Sequence, residues 1–103
     1  MMGPMRLWPP PPREPPGPTP SDMIIVNGGC SACAALERAI QAGEAQGQQF
    51  PEIPILTREN AEAARVFRVN HGRGYPAAII GGKFVLGVGS IRQALARHYG
   101  FKT

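Results

Sequence analysis

The chain reads as one α/β domain, a four-stranded mixed sheet with three helices in the order β-α-β-α-β-β-α. Three observations carry this. An unbroken apolar run, Met23-Ile24-Ile25-Val26, is followed after a short glycine break by a stretch with helical periodicity. That is how a buried parallel strand leads into a crossover helix. A second strand–helix pair follows over residues 52–70. Two apolar runs then flank Gly81-Gly82, a tight-hairpin signal.

The first strand spans Met23 to Val26, and Asn27-Gly28-Gly29 breaks it. The first helix is expected from about Ser31 to Ala42, because Ala32, Ala35, Leu36, Ala39 and Ile40 recur at steps of three and four. Gly43 and Gly47 are expected to loosen its end. The second strand is expected at Glu52 to Leu56. Pro51 and Pro54 cannot donate to a ladder, which puts this strand at a sheet edge. Thr57 is the expected cap of the next helix, which presents Ala61, Ala64, Val66 and Phe67 and ends near Asn70. After the loop His71-Gly72-Arg73-Gly74, a strand opened by proline runs from Tyr75 to Ile80, turns at Gly81-Gly82 and returns as Lys83-Phe84-Val85-Leu86. Ser90 is the expected cap of a last helix from Ile91 to about Tyr99, with Gly100 as its stop. The first crossover is expected to be parallel and right-handed.

Nine of the 12 prolines fall in residues 1–22, so the folded unit is expected at 23–103. Proline removes backbone donors and locks φ, so residues 1–22 are expected to be extended, polyproline-like and disordered. Arg6, Pro9 and Pro12 match a basic-x-x-Pro-x-x-Pro pattern, which so proline-dense a stretch produces readily by chance; a spacer is the favoured reading. Met23 stands where the folded pattern begins and is a second candidate for the initiator.

The net charge of +4 belongs to the folded part, which holds nine Lys/Arg against five Asp/Glu. No Lys/Arg-dense run and no interleaved aromatics occur, so nucleic-acid binding is not expected. No apolar run approaches the ~20 residues of a membrane span, and no secretory signal core is present. A cytoplasmic location is the expectation.

Cys30 and Cys33, the only two cysteines, sit three apart at the first strand-to-helix junction. The spacing fits a dithiol that cycles to a disulfide, and it fits a metal site equally well. A closed zinc site needs four ligands, and His71 and His98 are far apart in sequence. A monomeric metal site is therefore not expected. Two cysteines also make a thin disulfide framework, which favours a reducing compartment and a working thiol pair.

Three motifs occur in order: Cys30-Ser31-Ala32-Cys33, then Gly74-Tyr75-Pro76, then Gly81-Gly82-Lys83-Phe84 with Leu86-Gly87. Together they resemble a glutaredoxin-like member of the thioredoxin superfamily over residues 23–103. The resemblance implies a thioredoxin-like fold and a thiol–disulfide oxidoreductase acting on protein disulfides or glutathione mixed disulfides. Cys30 would be the nucleophile and Cys33 the resolving thiol. It implies a cis Tyr75-Pro76 bond, and substrate contacts from Tyr75, Pro76, Arg73, Gly87, Gly89 and Ser90. It requires no bound cofactor or metal, and its electron donor would be glutathione or a thioredoxin-reductase-type system. The protein would act as a monomer, away from membranes. The family carries a lysine where Gly28 stands, Pro-Tyr where Ser31-Ala32 stands, and a glutathione-anchoring aspartate near Gly89-Ser90; these differences favour a protein disulfide as substrate. The alternative is a non-catalytic binding module of the same fold, bridging a metal or Fe–S cluster between two chains through Cys30 and Cys33, or only docking a partner through the proline-rich tail.

Overall fold

A computed structural model describes residues 22–102. Its elements are β1 (Met23–Val26), α1 (Ser31–Ala45), β2 (Ile55–Thr57), α2 (Ala61–Val69), β3 (Ala77–Ile80), β4 (Lys83–Leu86) and α3 (Val88–Tyr99). The sheet order is β2-β1-β3-β4; β1 and β2 are parallel and the other pairs antiparallel. The mixed sheet with three helices, the edge position of β2 and the β3–β4 hairpin agree with the sequence expectation.

Strand alternation divides the core into two layers. On one face Ile24 and Val26 of β1 and Ala78 and Ile80 of β3 pack with Cys33, Leu36 and Ile40 of α1 and Ile91 and Leu95 of α3. On the other, Met23, Ile25, Ala77 and Ile79 meet Ala63 of α2. Both central strands are buried on both faces, which explains why they read as unbroken apolar runs. Among the described residues no helix is long and apolar enough to cross a membrane.

Several boundaries differ from the sequence reading, each for a local reason. β2 begins at Ile55 rather than Glu52. The Ile53 N–H turns back onto the Pro51 carbonyl at 2.7 Å, and the Pro54 carbonyl accepts from Ile24 at 2.9 Å, so 52–54 form a lead-in rather than a strand. α1 continues past Ala42 to Ala45. Gly43, read as a helix loosener, is buried in the helix, and a Cβ there would lie 2.7 Å from Cζ of Phe101. It is a close-approach glycine.

Thr57 is the last residue of β2, and the α2 cap is Asn60, whose side chain accepts from the Ala63 N–H at 3.0 Å. β3 starts at Ala77, after the Tyr75-Pro76 step, instead of at Tyr75. α3 starts at Val88 instead of Ile91, so Ser90 lies inside its first turn and is not the cap. The cap position is Gly87, whose φ of 93° swings the chain from β4 into the helix without a side-chain hydrogen bond. Gly100 ends α3 in the left-handed conformation, as expected.

Asp22, read above as the last residue of the tail, is tied to the domain. Its carboxylate accepts from the N–H groups of Gly81 (2.9 Å) and Gly82 (3.4 Å) at the β3–β4 turn and from the Tyr99 hydroxyl. The rest of the tail, including Arg6, Trp8, Pro9 and Pro12, lies outside the described residues.

Tyr99 ionises only at about 12, up from 10.0; burial is the first cause, followed by the hydrogen bond to Asp22 and its charge. A raised value in the fold means that the neutral phenol is the favoured form. Its contribution to stability is therefore complete below pH 10 and is lost as the pH rises through about 12. In Asp22→Asn, the Tyr99 ionisation followed by phenolate absorbance should move down toward 10.0 without reaching it, because burial remains. An unchanged midpoint would remove Asp22 as a cause.

Candidate active site

The site is built where β1 ends. Asn27-Gly28-Gly29 carries the chain off the sheet, with Gly29 at φ 72°. Cys30 then takes an extended conformation (φ −96°, ψ 111°) as the N-cap of α1, and its carbonyl accepts the first helical bond from Ala34 at 3.1 Å. The backbone places Sγ at the end of the helix that carries unpaired N–H groups. The Cys33 N–H donates to Cys30 Sγ at 3.0 Å. The Cys30 sulfur thus meets a backbone donor at the positive end of the helix dipole.

Cys33 lies one turn deeper. It is 3% exposed and belongs to the main core cluster, whereas Cys30 is only partly buried. The two Sγ atoms are at disulfide distance and the Cα atoms are 5.2 Å apart, inside the usual span for a disulfide. One sulfur therefore faces outward and one is reachable mainly through it.

Across from the cysteines runs the segment before β3. The Tyr75-Pro76 bond is cis. Cys30 Sγ lies 3.7 Å from the Tyr75 carbonyl oxygen, 45 residues away in sequence. The Tyr75 ring stacks on Phe67 of α2, with centroids 4.6 Å apart and planes 5° from parallel. Phe67 is also covered by the 71–74 loop so closely that Gly72 has no room for a Cβ. The Pro76 carbonyl accepts from the Gly87 N–H at 2.9 Å, which fastens the start of α3 to the same segment.

The residues expected from the sequence are thus distributed as follows. Cys30, Cys33, Tyr75 and Pro76 come together, and Gly87 is linked to them through the main chain. Arg73 is exposed in the loop before Tyr75. Gly89 and Ser90 are exposed in the first turn of α3, and Gly89 lines a separate cleft with Arg92, Gln93 and Lys102. No acidic side chain stands in that first turn.

A cleft of about 280 Å³ opens beside the cysteines on the β2 side, between Asn27-Gly28, Thr57 and Glu37 of α1. The sequence reading did not single out Glu37. A signal was present, because Glu37 follows Cys30 by seven residues, two helical turns, and so falls on the same helix face. Among the described residues, no group of three or more His, Cys, Asp or Glu gathers as a metal site, so a metal held by the two thiols needs ligands from outside that set.

The architecture is compatible with a thioredoxin-like fold. Comparisons with protein-family models, with curated proteins and with solved structures find no match.

Proposed function

We propose that the protein is a small dithiol–disulfide oxidoreductase that reduces disulfides of other proteins. One observation carries this reading. The outward Cys30 caps a helix and receives the Cys33 N–H on its sulfur, while Cys33 waits at disulfide distance, buried one turn below. A purely structural disulfide is the plainer explanation of such a pair. So short a loop, with a separation of 3, removes little entropy from the unfolded chain and makes a poor staple.

In the proposed cycle the Cys30 thiolate attacks one sulfur of the substrate disulfide. A mixed disulfide forms and the other substrate sulfur leaves as a thiolate. Cys33, as its thiolate, then attacks Cys30 Sγ, the mixed disulfide breaks, and the second substrate sulfur leaves. Two electrons have passed to the substrate, its two thiolates take up two protons, and Cys30–Cys33 is oxidised. Two thiols of glutathione, or one reductase dithiol, return the electrons. The position of the Tyr75 carbonyl beside Cys30 supports the reading, since an extended substrate strand would pair there. The absence of an acidic side chain in the first turn of α3 favours a protein substrate over glutathione mixed disulfides.

The deciding assay supplies a protein disulfide and NADPH with two donor systems, glutathione plus its reductase, and a thioredoxin reductase. The expected result is NADPH consumption that scales with the amount of this protein with at least one donor. No turnover with either donor, from a protein whose disulfide is demonstrably reduced by excess dithiol, would sink the proposal.

A further inference from the structure

The cleft beside the cysteines does not end at Glu37. A second cleft, also lined by Glu37, continues along α1 past Ile40 and Gln41 to Glu44, walled on the other side by Phe50 and Ile55. The two share Glu37 and follow one another on the α1–β2 side of the molecule as a groove in two parts, with Cys30 lining the first. Its apolar floor is partly open to solvent. Ile55 is 40% exposed, and the Phe50 ring is half-buried and held edge-on against Phe101 at 5.3 Å.

The groove's charge runs against the rest of the molecule. Residues 23–103 carry nine Lys/Arg and five Asp/Glu. Two of those five acids, Glu37 and Glu44, line the groove, and no Lys or Arg is among its described lining residues. Glu37 and Glu44 are seven apart along α1, and Cys30, the cap residue before it, precedes Glu37 by seven. Residues seven apart on a helix lie nearly in line, about 10.5 Å apart along the axis. An extended chain of polyproline-II type, with about three residues per turn and a rise of about 3.1 Å, covers that distance in about three residues with those side chains on one face.

We infer that this groove is a substrate-docking site for an extended, polyproline-II-like and partly apolar polypeptide segment flanking the target half-cystine, with Lys or Arg about three and about six residues from it. The inference rests on the oxidoreductase reading above and names its substrate class. Glu37 and Glu44 take the two cations, Ile55 and Phe50 take an apolar side chain between them, and the half-cystine is delivered to Cys30. Charge complementarity selects the partner, and a groove of this sign rejects acidic segments.

The test uses the full chain and two short peptides with Lys or Glu at those two positions. Isotope-labelled protein is first titrated with serine analogues of the peptides, so that binding is read without electron transfer. Amide shifts at Glu37, Gln41, Glu44 and Ile55 with the Lys peptide alone are expected. Shifts confined to other surfaces, none at all, or equal shifts with both peptides overturn the site. So does direct contact from residues 1–21 that the Lys peptide does not displace.

Turnover is then measured with the disulfide forms. The KM for the Lys peptide should be about fivefold lower than for the Glu peptide at low ionic strength, converging in high salt. Glu37→Gln/Glu44→Gln should erase the preference and Glu37→Lys/Glu44→Lys should reverse it. Equal KM values for both peptides overturn the docking site and leave the oxidoreductase reading standing. If neither peptide disulfide is reduced, the docking site is overturned, and the oxidoreductase reading falls only where the protein disulfide of the assay above also fails to turn over.

Discussion

Cys30→Ser should lower the reduction of a protein disulfide by at least about a thousandfold, to the background of uncatalysed thiol exchange, because it removes the nucleophile. Cys33→Ser should fail differently. Cys30 remains at the N-cap and still attacks, but the hydroxyl that replaces the buried sulfur cannot resolve the product. A covalent adduct between Cys30 and the substrate should accumulate, visible as a mass increase that dithiol reverses. The asymmetry follows from burial. Cys33 is 3% exposed and cannot meet a large disulfide directly, while Cys30 is partly open. If Cys30→Ser retained wild-type turnover, or if the adduct formed on Cys33 in place of Cys30, the assigned roles would be wrong.

Phe101→Ala should be the most destabilising single truncation outside the site. Phe101 is 2% exposed and heads the largest fully buried side chains. It fills the space between α1 and the end of α3, with the Phe50 ring edge-on at 5.3 Å. Removing such a ring costs about 3–5 kcal/mol. A domain of this size has only about 5–10 kcal/mol in total, so the melting temperature should fall by more than about 10 °C. Gly43 gives an internal control. Gly43→Ala would gain about 1 kcal/mol of helix propensity in open space. Here its Cβ would lie 2.7 Å from the Phe101 ring, so the substitution should destabilise the wild type and cost less in the Phe101→Ala background. Thermal unfolding of the four proteins of this cycle checks both statements. Additive effects would show that the ring and the glycine do not press on one another.

The same two residues mark where sequence reading stops. Gly43 is a helix breaker by propensity, and only the ring of Phe101, 58 positions further on, makes it a helix-interior glycine. Phe101 follows the glycine that stops the last helix, where periodicity has nothing more to say. Asp22 lies beside a proline-dense stretch and is polar, so nothing local marks it as a partner of Gly81 and Tyr99. The caps at Asn60 and Gly87 were displaced from Thr57 and Ser90 because sheet pairing claimed Thr57, and a positive φ made a side-chain cap at Ser90 unnecessary.

The order of elements, the edge strand, the hairpin and the position of the cysteine pair were legible in the chain itself. Each rests on local chemistry: doubly buried strands must be apolar throughout, proline cannot donate to a ladder, paired glycines turn tightly, and residues three apart at a helix start share a turn. What the tertiary structure alone decided are relations between distant segments. It set the Tyr75 carbonyl 3.7 Å from Cys30 Sγ and placed β2 alongside α1 so that Glu37 lines a cleft with that sulfur and, with Glu44, a second cleft beyond it. Such relations depend on how the layers pack, and packing is a property of pairs of surfaces that no single stretch of sequence contains.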